Sequence, residues 1–198
     1  VPIGDNTTPF TGKFDGLGHT VDGLTRPNTD NADTGIGLFG RSNGEIRNVG
    51  VTNVDVAGAQ NVGGLVGING GVIKNSYSPG TVTGSDKNNG AFQVGSIGGL
   101  VGQNSGNIDD SYSSAAVKAS TATVPGGHSA GDQGGGMMNF TQGGIGGLAG
   151  SSQSPINNSY ATGTVDGEAD VGGLVGYNNA SVIGTSYARG KVTGTANA

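Results

Sequence analysis

"GGLVGINGGVIKNSYSPGTVTG" occupies residues 63–84. A third of it is glycine, a composition that usually marks an unstructured segment when no pattern accompanies it. Here a pattern does. Leu65, Ile73 and Val82 stand eight and nine residues apart. That spacing is too wide for one helical face and too regular for coil. It fits three short strands of about five residues each, joined by tight turns. Glycine and asparagine fill the intervening positions, where positive φ is cheapest.

The stretch recurs along the chain. GGLVG returns at 98–102 and 172–176, and GGLAG stands at 146–150. A degenerate copy, GLFGRSNGEIRNVGVTNVDVAG, covers 37–58. The copies align on Leu38, Leu65, Leu100, Leu148 and Leu174, and again on Ile46, Ile73, Ile108, Ile156 and Ile183. A third column reads Val54, Val82, Val117, Val165 and Val192. Successive copies are 27, 35, 48 and 26 or 27 residues apart. The shortest interval suits one turn of a parallel β-helix, whose coils stack about 4.8 Å apart. An opening coil, FTGKFDGLGHTVDGL at 10–24, would point Phe14, Val21 and Leu24 inward. The expected fold is therefore all-β: a right-handed parallel β-helix of about six coils and about 29 Å. Residues 1–198 read as a single β-helical segment of a larger protein, because solenoid ends need polar caps and neither end supplies one.

Composition narrows the function. Of the 198 residues, 43 are glycine and 32% are apolar, so the core must be thin and built of small columns. The net charge is −5 and no basic run occurs, which argues against nucleic acid. No apolar stretch approaches 18 residues, so the segment is not expected to insert in a membrane. Nothing at the start reads as a signal peptide, so one is either absent or already removed. Without cysteine there are no disulfides or thiolate metal sites, though secretion remains compatible.

The repeats resemble the GLUG motif, named for Gly-Leu-hydrophobic-Gly. It stands here as GLFG at 37–40, GLVG at 64–67, 99–102 and 173–176, and GLAG at 147–150. An INSYATG-like element follows as IKNSYSPG, IDDSYSSA, INNSYATG and IGTSYARG. The resemblance implies a parallel β-helix of large bacterial surface or secreted proteins, including haemagglutinin-like adhesins and the non-catalytic regions of immunoglobulin A peptidases. It brings no catalytic residues. The second coil departs from the pattern, with Val49-Gly50 in place of Ser-Tyr.

Two features are candidates for binding. The first is the set of insertions that lengthen the period: 26–34, 85–93 and 120–142, all after the third strand and so at one corner of the rod. Phe92, His128, Met137, Met138 and Phe140 are the ligand-binding candidates there, mostly apolar residues in polar loops. The second is Tyr77, Tyr112, Tyr160 and Tyr187, which share one repeat position. Facing out, they form an aromatic strip suited to sugar rings; lying at a corner, they pack on one another as structure. Ser76, Ser111, Ser159 and Ser186 precede them and suit an inner hydrogen-bonded ladder, while Asn75, Asp110 and Asn158 suit a stack at the bend.

Chemistry is weakly indicated. Asp55 and Asp166 fall in one column, but three coils apart they would be about 14 Å distant, too far for paired carboxylates. His128, Ser129 and Asp132 are triad residue types without a rigid frame. His19 and His128 lack zinc-site spacing, and no cofactor or metal is expected. The chain reads as a non-enzymatic adhesive segment of a secreted or bacterial cell-surface protein. Its expected partners are a host-surface protein or glycan and adjacent coils of its parent. The alternatives are a spacer domain of a secreted protease and, more remotely, a polysaccharide-cleaving β-helix.

Overall fold

The computed structural model describes residues 2–27, 34–85, 95–120, 143–168 and 170–194. Among them every regular element is a β-strand and every pairing is parallel. The strands stack into five sheets that run along a common axis, as a parallel β-helix requires. Three sheets have six strands each, which sets the number of coils at about six.

Each full coil visits the five sheets in turn. The third coil is typical. It runs through Val62–Gly63, Val66–Asn69, Val72–Lys74, Tyr77–Ser78 and Gly80–Ser85. The expectation of three strands per repeat is thus too coarse. Strands of two to six residues alternate with bends, and each of the three predicted strands is divided or joined by a short neighbour. Periodicity in a single copy cannot see a two-residue strand. Such a strand exists only because the coils above and below supply its hydrogen bonds.

The predicted columns form the core. Ile46, Ile73, Ile108 and Ile156 pair in register and are fully buried. Leu65, Leu100 and Leu148 stack in the same way at a bend. In the opening coil Phe14 meets Phe39 edge-on at 5.4 Å, and Phe10 meets Phe39 at 5.2 Å. Phe14 and Leu24 pack against the core, and Val21 pairs with Val51.

One column needs correction. Val56, not Val54, pairs with Val82, and the ladder continues through Val117, Val165 and Val192. The segment Val54-Asp55-Val56 alternates, so both valines point inward and either register satisfies the pattern. The true register places Asp55 beside Thr25 and Thr81, and Asp166 beside Lys118 and Thr193. The two aspartates belong to different columns.

The glycines also differ from expectation. Among the described residues, positive φ falls more often on asparagine and aspartate than on glycine, including Asn48, Asn75, Asp110 and Asn158 at 48–53°. The glycines of the GG pairs are there for close approach. A Cβ on Gly98 would overlap the Val101 carbonyl oxygen and lie 2.5 Å from the Gly150 amide nitrogen. The same crowding recurs at Gly63, Gly146 and Gly172. Glycine is required here because the chain folds back onto its own next strand and onto the neighbouring coil.

Candidate functional site: the outer tyrosine ladder and its first rung

The bend that delivers the tyrosines is built from local chemistry. After the isoleucine strand, one residue takes the left-handed region: Asn75, Asp110, Asn158 or Thr185 at about 48–50°. Asparagine and aspartate tolerate this because their short polar side chains bond locally. Their side chains then join across coils: Asn75 Nδ2 donates to Asn48 Oδ1 at 3.2 Å, and Asn158 Nδ2 donates to Asp110 Oδ1 at 3.3 Å. Of the predicted stack, Asn158 and Asp110 are joined directly, and Asn75 bonds instead to Asn48 of the preceding coil.

A serine follows each of these residues and points inward. Ser76 N–H donates to Ser111 Oγ at 3.1 Å, Ser111 N–H to Ser159 Oγ at 3.2 Å, and Ser159 N–H to Ser186 Oγ at 3.1 Å. Each hydroxyl in turn donates to the carbonyl two residues earlier, at 2.7–2.8 Å. The bend would otherwise leave a buried N–H unpaired, and the serine of the next coil accepts it. Where Val49 replaces serine the ladder ends, with Val49 N–H reaching Ser76 Oγ at 3.5 Å.

Chain alternation then turns the tyrosines outward. Ser76 and Ser78 are buried while Tyr77 between them is half-exposed. Tyr77, Tyr112, Tyr160 and Tyr187 pair in register. Their rings stack at 4.9, 4.8 and 5.1 Å between centroids, within 2–4° of parallel. The two sequence alternatives are thus both realised: the ladder is on the outside, and each ring packs on the next. The consequence is specific. Interior ring faces are covered by their neighbours, so the strip offers ring edges and a row of hydroxyls. Burial, and then the neighbouring Tyr160 and Tyr77, push the Tyr112 phenol above its ordinary value.

The two ends of the ladder differ. At one end the Arg189 guanidinium carbon lies 5.1 Å from the Tyr187 ring centroid and covers that face. At the other, the coil before Tyr77 carries Gly50 in register. A Cβ there would overlap the phenol end of Tyr77, with its hydroxyl only 2.6 Å away. The Tyr77 ring thus leans over the Gly50 backbone and fills this rung, and beside it lies an open depression of about 460 Å³ lined by Leu17, Gly18, Asn48, Gly50, Asn75 and Tyr77. Asp15 stands behind it, accepting from Asn48 Nδ2 and Arg47 Nε at 2.9 Å and from the Leu17 amide at 3.0 Å. The Asn48 hydrogen bond, then that from Leu17, hold its carboxyl below the usual range.

Phe92, His128, Met137, Met138 and Phe140 lie outside the described residues. The strands flanking their insertions are described. Ser85 pairs with Ser120 where the insertions leave, and Ile97 pairs with Ile145 where the chain returns. For 26–34, Arg26 pairs with Val56 and Ile36 bridges to Val62, in the same two sheets.

Sequence reasoning missed a buried polar column. Asn69 Nδ2 donates to Asn104 Oδ1 at 2.8 Å, and Asn104 Nδ2 to Ser152 Oγ at 3.1 Å, all three fully buried. Their shared distance from the preceding GLVG or GLAG was the signal available. The end of the ladder was half-visible, as the departure of Val49-Gly50 from Ser-Tyr, but not the lean of Tyr77 over Gly50.

Comparison with known proteins agrees with this architecture. Residues 58–83 and 93–118 match the GLUG motif family. Over 85 residues, 42% of the chain, the sequence is 39% identical to halomucin of Haloquadratum walsbyi, 1% of whose length is covered. A crystal structure from Bacteroides ovatus, of a protein described as an immunoglobulin A1 protease, superposes with a TM-score of 0.67 and 26% identity. That match covers 91% of this chain and 52% of the other, so the segment spans about half of the solved relative. The chain is a parallel β-helix that carries GLUG-motif repeats.

Proposed function

We propose that the chain is a non-catalytic, adhesive β-helical segment of a secreted or cell-surface protein. The observation that carries this reading is the outward tyrosine ladder. Four in-register phenols stand on a solvent face, whereas the isoleucine, valine and serine columns are consumed by the core. Tyrosine supplies large, rigid, amphipathic contact area at low entropy cost, which suits recognition. The insertions at 85–93 and 120–142 are proposed as a second contact surface, for a host-surface protein or glycan. The similarity to halomucin and to the immunoglobulin A1 protease-like protein supports an extracellular setting.

The test is a glycan and host-protein array. The chain is run beside a variant lacking residues 120–142 and a variant with all four ladder tyrosines changed to serine. Binding lost in either locates the contact. Binding unchanged in both removes the contact assignment.

The second reading is a spacer within a secreted protease, favoured by the Bacteroides ovatus similarity. A protease catalytic domain in the same polypeptide, with no array binding by this segment, would support it. A polysaccharide-cleaving role requires new reducing ends or unsaturated products from a polysaccharide panel; their absence removes it.

A further inference from the structure

We propose that Asn179 is an N-glycosylation site, carrying an oligosaccharide transferred from a polyprenyl-diphosphate donor. The inference needs only an exported chain and stands whether or not the tyrosine ladder binds a partner.

The chain holds four Asn-x-Ser/Thr triplets, the acceptor pattern for this modification: Asn6-Thr7-Thr8, Asn139-Phe140-Thr141, Asn157-Asn158-Ser159 and Asn179-Ala180-Ser181. Asn139 lies outside the described residues. An acceptor needs a free asparagine amide and, two residues on, a hydroxyl that a transferase can reach. The other three triplets differ on these terms. Asn157 is half-buried in a strand, and its Nδ2 donates to Asp109 Oδ1 at 3.1 Å. The Ser159 hydroxyl is buried and donates to the Asn157 carbonyl at 2.7 Å. Asn6 is exposed, but its amide donates to Thr34 Oγ1 and its side-chain oxygen accepts from Arg41 Nη1 at 3.2 Å. Asn179 is exposed, and its side chain has no hydrogen-bond partner among the described residues. Its backbone amide is fixed to the Ser152 carbonyl at 2.8 Å.

The corner presents this asparagine. Asn69, Asn104, Ser152 and Asn178 form one column, and Ile73, Ile108, Ile156 and Ile183 form the next. Between the two columns the sixth coil holds one residue more than the third, fourth and fifth coils do. The extra residue lifts the turn out of the stack, as a bulge does. Ala180 sits at φ 58°, which is unfavourable for alanine, and Val182 is 67% exposed. Asn178 closes the turn: its Oδ1 accepts from the Ser181 amide at 3.2 Å and from the Ser181 hydroxyl, and its Nδ2 donates to the Ser181 carbonyl at 3.1 Å. These bonds are exposed, so a strained turn held by them opens readily onto a transferase. The exposure belongs to the corner. Gly70, Ser105 and Gln153 take the same place with coils on both sides, and all three are exposed.

In the transfer, Asn179 Nδ2 bonds to the anomeric carbon of the first sugar. The anomeric C–O bond breaks, polyprenyl diphosphate leaves with the electron pair, and one amide proton passes to a base of the transferase.

Glycopeptide mass spectrometry of the protein exported by its own cells tests the site. The Asn179 peptide should carry the glycan, the Asn157 peptide none, and the Asn6 peptide less than Asn179. Ser181→Ala should remove the glycan, whereas Ser154→Ala, at the same corner of the preceding coil, should leave it. Ser181→Ala loses only exposed hydrogen bonds, and an unchanged melting curve checks that the fold is kept. Free peptides spanning the Asn157 and Asn179 triplets should both be modified by a single-subunit oligosaccharyltransferase given a polyprenyl-diphosphate oligosaccharide. The folded chain should be modified at Asn179 and not at Asn157. A free Asn157 peptide that stays unmodified would overturn the part given to the fold. An unmodified Asn179 in the exported protein, a glycan that persists in Ser181→Ala, or equal occupancy of Asn157 overturns the site.

Discussion

Two corners of the same coil turn the chain by opposite means. At the GG corner, Gly63, Gly98, Gly146 and Gly172 have no room for a side chain, and φ stays in the ordinary range. At the Asn–Ser corner, Asn75, Asp110 and Asn158 hold positive φ, and their side chains bond along the rod. The first corner is limited by packing and the second by backbone conformation and hydrogen bonding. A high glycine content here records crowding rather than freedom.

The comparison is broken most severely at the crowded corner. Gly98→Ala drives a methyl into the Val101 carbonyl and the Gly150 amide, and backbone yields little. A loss of about 3 kcal/mol or more is expected in urea unfolding, with Gly98→Asn no better. If Gly98→Asn were tolerated, the two corners would be conformationally alike.

Ser111→Ala tests the second corner from inside. It removes the acceptor of the buried Ser76 amide and a donor to the Asp109 carbonyl. A loss of about 2 kcal/mol in chemical denaturation is expected, with faster exchange of the Ser76 amide hydrogen. An unprotected Ser76 amide in the unmodified protein would show that the ladder does not carry the bend.

Asn158→Gly sharpens the contrast. Glycine accepts φ of 48° at no steric cost, and only the exposed bond to Asp110 is lost. The change should stay within about 0.5 kcal/mol. A large loss would mean that the side-chain stack, not the backbone, holds this corner.

The ladder outside that corner should respond to alkali. The Tyr112 phenol titrates above its ordinary value, chiefly through burial. In the unfolded chain it ionises near pH 10, while the folded state still holds the proton. Its contribution is therefore complete below that pH and is lost as pH rises through the raised folded value. Tyr112→Phe should flatten this part of a melting-temperature profile. Phenolate absorbance should show a late component that Tyr112→Phe removes; its absence would mean that the Tyr112 ring is not buried between its neighbours.

Much of the fold was legible in the residues, and the reason is repetition. Stacking puts like residues together, so the columns of Leu65, Ile73 and Tyr77 could be read without knowing a single angle. The inward serines and the asparagine stack were legible for the same reason. What one copy cannot display stayed hidden. The division of each coil into five short strands depends on hydrogen bonds from its neighbours. The register of Val54-Asp55-Val56 was ambiguous because alternation permits both choices, and pairing with Val82 selected one. The outward direction of the tyrosines required the bend at Asn75 to be seen.

The sequence by itself determined the parallel stack, its number of coils and the residues of its ladders, because each is a consequence of period. Tertiary structure alone decided where the ladder ends and what lies beside that end. Gly50, Leu17 and Asn75 lie in different coils, and only their stacking makes an open depression beside Tyr77.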